Sequence, residues 1–207
     1  MPAVQTVHHI VHPDRTMSNN KRVLADLLAS LTVAGSTHTL IGGLAAGYYG
    51  KARATVDVDM LIPKRAAKAV RAELERRGYE IKESTDMMRA YRRGHAEAVA
   101  DLVWREAHPV LKAAAAQSEP AKILGLPVNL VKRGAFVALK YHAAVSLTRQ
   151  YRDKHQDVTD IMSVLLQSFT AADEKMAVTI VEKAYPGCGK EMAKLLDDIR
   201  HERPVRV

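Results

Sequence analysis

Residues 41–62 have the sequence Ile-Gly-Gly-Leu-Ala-Ala-Gly-Tyr-Tyr-Gly-Lys-Ala-Arg-Ala-Thr-Val-Asp-Val-Asp-Met-Leu-Ile, the most informative stretch of the chain. Gly42 and Gly43 stand between a β-prone run at residues 39–41 and an apolar segment that predicts a short helix over Leu44–Tyr49. Glycine lets a ligand approach the backbone closely, and the first N–H groups of a helix have no partner within it. The pair therefore predicts either a phosphate-binding turn or a simple tight turn.

The end of this stretch, Thr55–Ile62, alternates in the way that a β-strand does. Four apolar side chains share one face, and Asp57, Asp59 and Leu61 share the other. Residues i and i+2 lie roughly 6.5–7 Å apart along a strand, and two carboxylates there repel each other unless a cation lies between them. Mg²⁺ or Mn²⁺ binds such oxygens together with substrate phosphates. The alternative is an edge strand with two surface acids.

Asp101 is the candidate for a third carboxylate. It is the single acid in the apolar run Ala98–Val103, which predicts another strand. If this strand lies beside 55–62, Asp101 shares the metal site, because a buried carboxylate without a partner is costly. The alternative is an aspartate near a strand end that accepts a hydrogen bond from a loop N–H.

The remaining pattern predicts an α/β (α+β) fold, with a mixed sheet followed by a helical bundle. The N-terminal part has helices and strands in alternation, whereas the residues after 131 show only helical periodicity. Helices are predicted over 18–35, 64–77, 105–117, 133–149, 156–168, 171–184 and 188–201, and further strands over 79–83, 87–92 and from Gly125 onward. The predicted organisation is an N-terminal arm (1–17), an α/β domain (18–131) and a helical domain (132–207).

Composition narrows the functional class. The 207 residues are 47% apolar and 26% charged, which is ordinary for a globular protein and excludes a disordered chain. The net charge of +8 favours a polyanionic partner such as a nucleotide or a nucleic acid. The single cysteine excludes a disulfide framework and favours the cytoplasm. No apolar run is long enough for a membrane helix, so no membrane partner is expected.

The motif resembles the DNA polymerase β-type nucleotidyltransferase superfamily. The resemblance rests on Gly42, Gly43, Gly50, Arg53, Thr55, Asp57 and Asp59. The 14-residue gap from Gly43 to Asp57 is similar to that of the abortive-infection toxin branch. Later segments are similar in order and spacing: Asp101–Val103, Leu124–Val128, Ala138–His142 and Arg152–Asp160. Many superfamily members have Gly-Ser where this chain has Gly-Gly, so only backbone groups can hold a phosphate here.

The resemblance implies roles for individual residues. Asp57, Asp59 and Asp101 would bind Mg²⁺, and Asp101 would also help to deprotonate the attacking hydroxyl. The nucleoside triphosphate would be bound by Gly42, Gly43, Arg53, Thr55 and Lys140. Lys140 and Asp157 match a lysine and an aspartate that are important in the toxin relatives, and we predict that both are catalytic.

Simpler interpretations also exist for Lys140, Asp157 and the nearby Asp160. Lys140 shares a helical face with Phe136 and Ala144, so it either extends to water or pairs with an anion such as a phosphate. Asp157 is predicted in the first turn of a helix, where an acid is favoured by the helix dipole. Asp160 is predicted to pair with Arg152 or Lys154 at the surface.

A set of arginines surrounds the predicted hairpin of strands 79–83 and 87–92. Such a set predicts either a contact with an RNA backbone or a solvated hairpin tip. Its members are Arg76, Arg77, Arg89, Arg92 and Arg93.

Together these features predict a Mg²⁺-dependent enzyme that transfers a nucleoside monophosphate from a nucleoside triphosphate to a hydroxyl. The acceptor would be a tRNA 3′ end, a protein or a small molecule, and the resemblance implies a toxin with a cognate antitoxin as partner. The alternative is a non-catalytic module of the same fold that binds a nucleotide or a partner.

Overall fold

The computed structural model of the chain describes residues 13–51 and 55–205. Arg53 and most of the predicted N-terminal arm lie outside these residues. No helix in the described part is both long and apolar enough to cross a membrane.

Seven strands and eight helices make up the described chain. The strands are β1 (Thr39–Leu40), β2 (Val58–Ile62), β3 (Tyr79–Glu83), β4 (Met87–Arg92), β5 (Ala98–Trp104), β6 (Ser118–Ile123) and β7 (Leu126–Val131). The helices are α1 (Pro13–Val33), α2 (Gly42–Tyr49), α3 (Ala67–Arg76), α4 (Pro109–Ala115), α5 (Arg133–Val145), α6 (Tyr151–Ser168), α7 (Ala171–Ala184) and α8 (Cys188–Arg200).

The strands form one mixed sheet in the order β3-β4-β5-β2-β1-β7-β6. β2 and β5 are parallel neighbours, and Asp59 lies directly opposite Asp101 in their register. β4 is antiparallel to β5 and places Arg89 opposite Asp101 on the other side. The predicted fold class, a mixed α/β sheet followed by helices, is confirmed.

One hydrophobic cluster connects the sheet to the helices that follow it. Trp104 of β5 and Phe136 of α5 are among its largest fully buried side chains. α5 packs against α4, α6 and α7, and α2 contacts both α6 and β2. α2 therefore lies between β2 on one side and α5 and α6 on the other.

Helix boundaries differ from the predicted ones where proline and local capping decide them. α4 begins at Pro109 rather than at residue 105, because proline suits the first turn of a helix and the His108 side chain caps it. α1 begins at Pro13, before the predicted start at Ser18. α6 begins at Tyr151 rather than at residue 156, which moves Asp157 out of the first turn.

Strand β6 is not among the predicted strands. Its sequence, Ser118–Ile123, contains Pro120 and two charged residues, which are unfavourable for a central strand. The sheet order places β6 at an edge, where a missing backbone N–H is tolerated. β6 pairs antiparallel with β7, whose start near Gly125 agrees with the prediction.

Candidate active site

Three carboxylates meet at one end of the parallel pair β2–β5. Asp59 and Asp101 are paired in register, and Asp57 comes directly before β2. One oxygen from each of the three side chains lies within 4.8 Å of the others. All three residues are half-buried, so a ligand can reach them. We call Asp57, Asp59 and Asp101 the acidic cluster.

The charges of the acidic cluster oppose one another. Burial, followed by the charges of Asp57 and Asp101, raises the pKa of Asp59 to about 7, whereas the charge of Lys140 acts in the opposite direction. Burial also raises the pKa of Asp101, partly offset by Arg89. These shifts show that the three groups cannot all be ionised without cost unless a cation joins them.

The donor set of the acidic cluster fits a hard divalent cation. Mg²⁺ and Mn²⁺ prefer carboxylate oxygens, and each of the three aspartates offers one. Asp101 Oδ1 is buried and accepts no hydrogen bond from any described residue, although Arg89 Nε lies 3.4 Å away as an ion-pair partner. An oxygen in that state is free to bind a metal ion.

Thr55 and Asn20 hold the Asp57 side of the acidic cluster. The Thr55 hydroxyl donates to Asp57 Oδ1 at 3.0 Å. Asn20 of α1, which is 2% exposed, donates from Nδ2 to the Thr55 carbonyl oxygen at 2.8 Å. Thr55 therefore orients a carboxylate, and its predicted contact with the nucleotide stays a prediction. Asn20 had no sequence signal of its own.

Gly42 and Gly43 lie directly against the acidic cluster at the start of α2. Gly42 has φ of +66°, and a Cβ there would come within 1.7 Å of Asp59 Oδ2. A Cβ on Gly43 would come within 2.4 Å of the Thr55 hydroxyl oxygen. The Gly43 N–H donates to the Asp59 carboxylate. Glycine is therefore required at both positions, because the side chains of Asp59 and Thr55 lie too close to leave room for a Cβ. Contact of the glycine pair with a triphosphate stays a prediction.

A second charged group joins α5 to α6. Lys140 Nζ lies 2.9 Å from Asp157 Oδ1 and 2.7 Å from Asp160 Oδ2. Arg149 donates from Nε to Asp157 Oδ2 at 2.6 Å, and Gln156 donates from Nε2 to Asp160 Oδ1 at 3.0 Å. We call Lys140, Arg149, Gln156, Asp157 and Asp160 the lysine network. The charge of Lys140 also acts on Asp59, where it lowers the pKa of that carboxyl.

Two expectations for this region are wrong. Asp160 is not a surface residue paired with Arg152 or Lys154, because it is 3% exposed and its carboxylate binds Lys140. Asp157 is fully buried and lies beyond the first turn of α6, so the helix dipole does not explain it. The predicted alternatives for Lys140 were water or an anion, and in this structure its anions are the two aspartates.

Sequence reasoning missed Asp160, Arg149 and the role of Arg89. The spacing of Asp157 and Asp160, three residues apart on one helix, was a signal that both face the same neighbour. Arg89 was grouped with the hairpin arginines. Only the register of β4 against β5 shows that Arg89 faces Asp101.

The fold is similar to those of several solved structures. The antigenic nucleotidyltransferase-like protein from Paracoccidioides brasiliensis has a TM-score of 0.51 and 17% identity, and the match covers 85% of this chain and 93% of that one. The antibiotic-resistance factor ANT(2'')-Ia has a TM-score of 0.54 and 17% identity, over 92% of this chain and 100% of that one. Its crystal structure with adenylyl-2''-tobramycin has a TM-score of 0.50 and 18% identity, over 87% and 97%.

These similarities show that the chain has the fold of the nucleotidyltransferases. The sequence matches no protein-family model and no curated protein. The resemblance to the abortive-infection toxin branch stays a prediction.

Proposed function

We propose that this protein is a divalent-metal-dependent nucleotidyltransferase. The observation that carries the proposal is the acidic cluster, in which three carboxylate oxygens within 4.8 Å of one another lie beside the glycine pair at the start of α2. Their mutual repulsion is relieved by a cation, and the fold is that of known nucleotidyltransferases. Asp57, Asp59 and Asp101 would hold Mg²⁺ or Mn²⁺, which when bound neutralises charge on the triphosphate.

The reaction exchanges one phosphorus–oxygen bond for another. The acceptor hydroxyl oxygen forms a bond to the α-phosphorus, the bond from that phosphorus to the bridging oxygen breaks, and pyrophosphate leaves with the electron pair. The hydroxyl proton passes to the carboxylate of Asp101. The Asp101 Oδ1 atom accepts no hydrogen bond from any described residue, which supports this role.

Nucleotide binding is assigned to the residues around the acidic cluster. The backbone of Gly42 and Gly43 can approach phosphate oxygens, because neither residue has a side chain in the way. Lys140 supplies a cation next to the cluster. Asp157 holds that lysine and is the second residue that the resemblance marks as catalytic.

The acceptor hydroxyl belongs to an RNA 3′ end, a protein or a small molecule. The resemblance to the toxin branch supports a tRNA 3′ end and a cognate antitoxin as partner, with the cytoplasm as the place of action. The structure of ANT(2'')-Ia with adenylyl-2''-tobramycin supports a small hydroxylated compound. The experiment below is designed to choose among these acceptors.

The test is transfer of label from each of the four α-³²P nucleoside triphosphates in the presence of Mg²⁺. The protein is incubated alone, with total tRNA, and with tobramycin, and the products are separated by electrophoresis and thin-layer chromatography. Label in RNA, protein or antibiotic identifies the acceptor class, and chelation of the metal should abolish it. A protein that binds a triphosphate tightly but labels no acceptor would be the non-catalytic module instead.

A further inference from the structure

Arg89 is a cation that faces the acidic cluster from the neighbouring strand β4. The register of β4 against β5 places Arg89 directly opposite Asp101. Arg89 Nε lies 3.4 Å from Asp101 Oδ1. Among the described residues, no other basic side chain forms an ion pair with the acidic cluster. The negative charge of the cluster is therefore balanced in part by a residue that belongs to neither β2 nor β5.

The ion pair between Arg89 and Asp101 is loose. Its length of 3.4 Å exceeds that of a charge-assisted N–H···O hydrogen bond, which is about 2.7–2.9 Å. Asp101 Oδ1 accepts no hydrogen bond from any described residue. The Arg89 side chain is 52% exposed, whereas that of Asp101 is 18% exposed. The guanidinium can therefore turn into solvent, where water satisfies its donors, while the carboxylate stays in place.

Arg89 and the acidic cluster lie on the same face of the sheet. Residues opposite each other on neighbouring strands point to the same side, so Asp59, Asp101 and Arg89 share one face across β2, β5 and β4. A divalent cation among the three carboxylates has the same sign of charge as the guanidinium. Both are attracted to the Asp101 carboxylate, and they repel each other over a distance this short.

We propose that Arg89 competes with the divalent cation for Asp101 and thereby sets the metal affinity of the site. In the metal-free protein the guanidinium balances the charge of Asp101. A metal ion that binds this carboxylate displaces the guanidinium toward solvent, and the loss of that ion pair weakens metal binding. This inference rests on the proposed function, since it takes the acidic cluster as the metal site.

The experiment measures binding of Mn²⁺ to the full chain without nucleotide, from the electron paramagnetic resonance signal of the free ion. Arg89→Met keeps much of the length of the side chain but removes its charge. We expect this variant to bind Mn²⁺ about tenfold more tightly than the wild type, because the ion no longer meets a competing cation. Arg89→Lys keeps the charge and should stay within about threefold of the wild type. A disturbed fold would weaken binding, so a gain in affinity separates this role from a structural one.

Arg71→Met is the matched control. The Arg71 side chain is 44% exposed, and its ion-pair partners Glu75 and Glu83 lie outside the acidic cluster. This variant loses the same charge as Arg89→Met and should bind Mn²⁺ like the wild type. Asp101→Asn, alone or combined with Arg89→Met, should lose most of the binding, because the bound ion then lacks one of its carboxylates.

The outcomes separate the two proposals. If neither the wild type nor Arg89→Met binds Mn²⁺, with or without a triphosphate, the proposed function fails. If the wild type binds Mn²⁺ and Arg89→Met binds it no more tightly, only the role of Arg89 is overturned. Equal gains in Arg89→Met and Arg71→Met would also overturn it, because net charge alone would explain them. If Arg89→Met does not fold, Arg89→Gln, which also lacks the charge, decides the question in the same way.

Discussion

The acidic cluster and the lysine network both contain buried or half-buried aspartates, but they differ in how far nearby cations balance the negative charges. The cluster has three aspartates and, among the described residues, a single ion-pair partner, Arg89, whose side chain is half exposed. In the described part of the chain, the two aspartates of the network have cationic partners, Lys140 and Arg149 among them. Both carboxylates of the network are therefore paired with cations, whereas the cluster carries excess negative charge.

This difference indicates different roles. A buried group whose carboxylates already have cationic partners loses stability when one partner is removed. A group of like charges is destabilising by itself and gains from a cation. Relief of this repulsion favours metal binding at the cluster, and the positive charge of Lys140 also acts on Asp59.

The largest expected effect is on catalysis. Asp59→Asn should reduce nucleotide transfer at least 10³-fold, about 4 kcal/mol in activation free energy, because the variant loses a metal-binding carboxylate. Its metal-free form should melt at or above the wild-type temperature, since one of three repelling charges is removed. Radiolabel transfer and thermal denaturation check the two parts. Transfer at wild-type rate would remove Asp59 from the metal site.

The next largest effect is a loss of stability when the lysine network is changed. Lys140→Met should lower the free energy of unfolding by about 3 kcal/mol, because Asp157 and Asp160 then lose a buried cation that contacts both of them. Adding Asp160→Asn to this variant should restore part of the loss. Urea denaturation of the wild type, the single variant and the double variant measures both changes. Equal stability of Lys140→Met and the wild type would contradict the charge balance described for the network.

A smaller effect tests the close approach of α2 to the acidic cluster. Gly42→Ala should destabilise the protein by about 2 kcal/mol, from a strained positive φ together with an overlap with Asp59. Gly35→Ala is the control, because Gly35 has a similar φ of +59° but open space around its Cβ position. Strain alone should make Gly35→Ala cost only about 1 kcal/mol. If the two variants cost the same, the overlap is relieved by movement of Asp59.

The smallest effect is that of the metal itself on the folded state. Mg²⁺ at millimolar concentration should raise the melting temperature of the wild type by about 2–4 °C, the shift expected for about 1 kcal/mol of binding. The same addition should not change the melting temperature of Asp59→Asn. Lys140→Met should still respond to Mg²⁺, because its acidic cluster is intact. A shift in all three proteins would indicate binding elsewhere.

The sequence was sufficient for those parts of the site that lie in one local pattern. The alternation over Thr55–Ile62 identified a strand with two carboxylates on one face, and the run around Asp101 identified a second strand. Both strands are present as β2 and β5, in parallel and adjacent, although β2 begins at Val58 rather than at Thr55 and leaves Asp57 just before it. Local periodicity is enough for such assignments, because it reports which face of a strand is apolar.

Local patterns cannot predict those features of the site and the sheet that depend on residues far apart in the sequence. The charge of Asp160 looks like a surface charge in the sequence, and only the packing of α5 on α6 buries it against Lys140. Arg89 looks like a hairpin-tip residue until the register of β4 is known. β6 was missed because Pro120 argues against a strand unless the strand is at an edge.

The parallel pairing of β2 with β5 has a consequence for the order of assembly. Parallel neighbours need a long connection, and here the segment 63–97 makes it through α3 and the β3–β4 hairpin. Asp101 follows that connection in the chain, so it is synthesised well after Asp57 and Asp59. A chain made only as far as residue 97 therefore has two of the three carboxylates and an incomplete metal site.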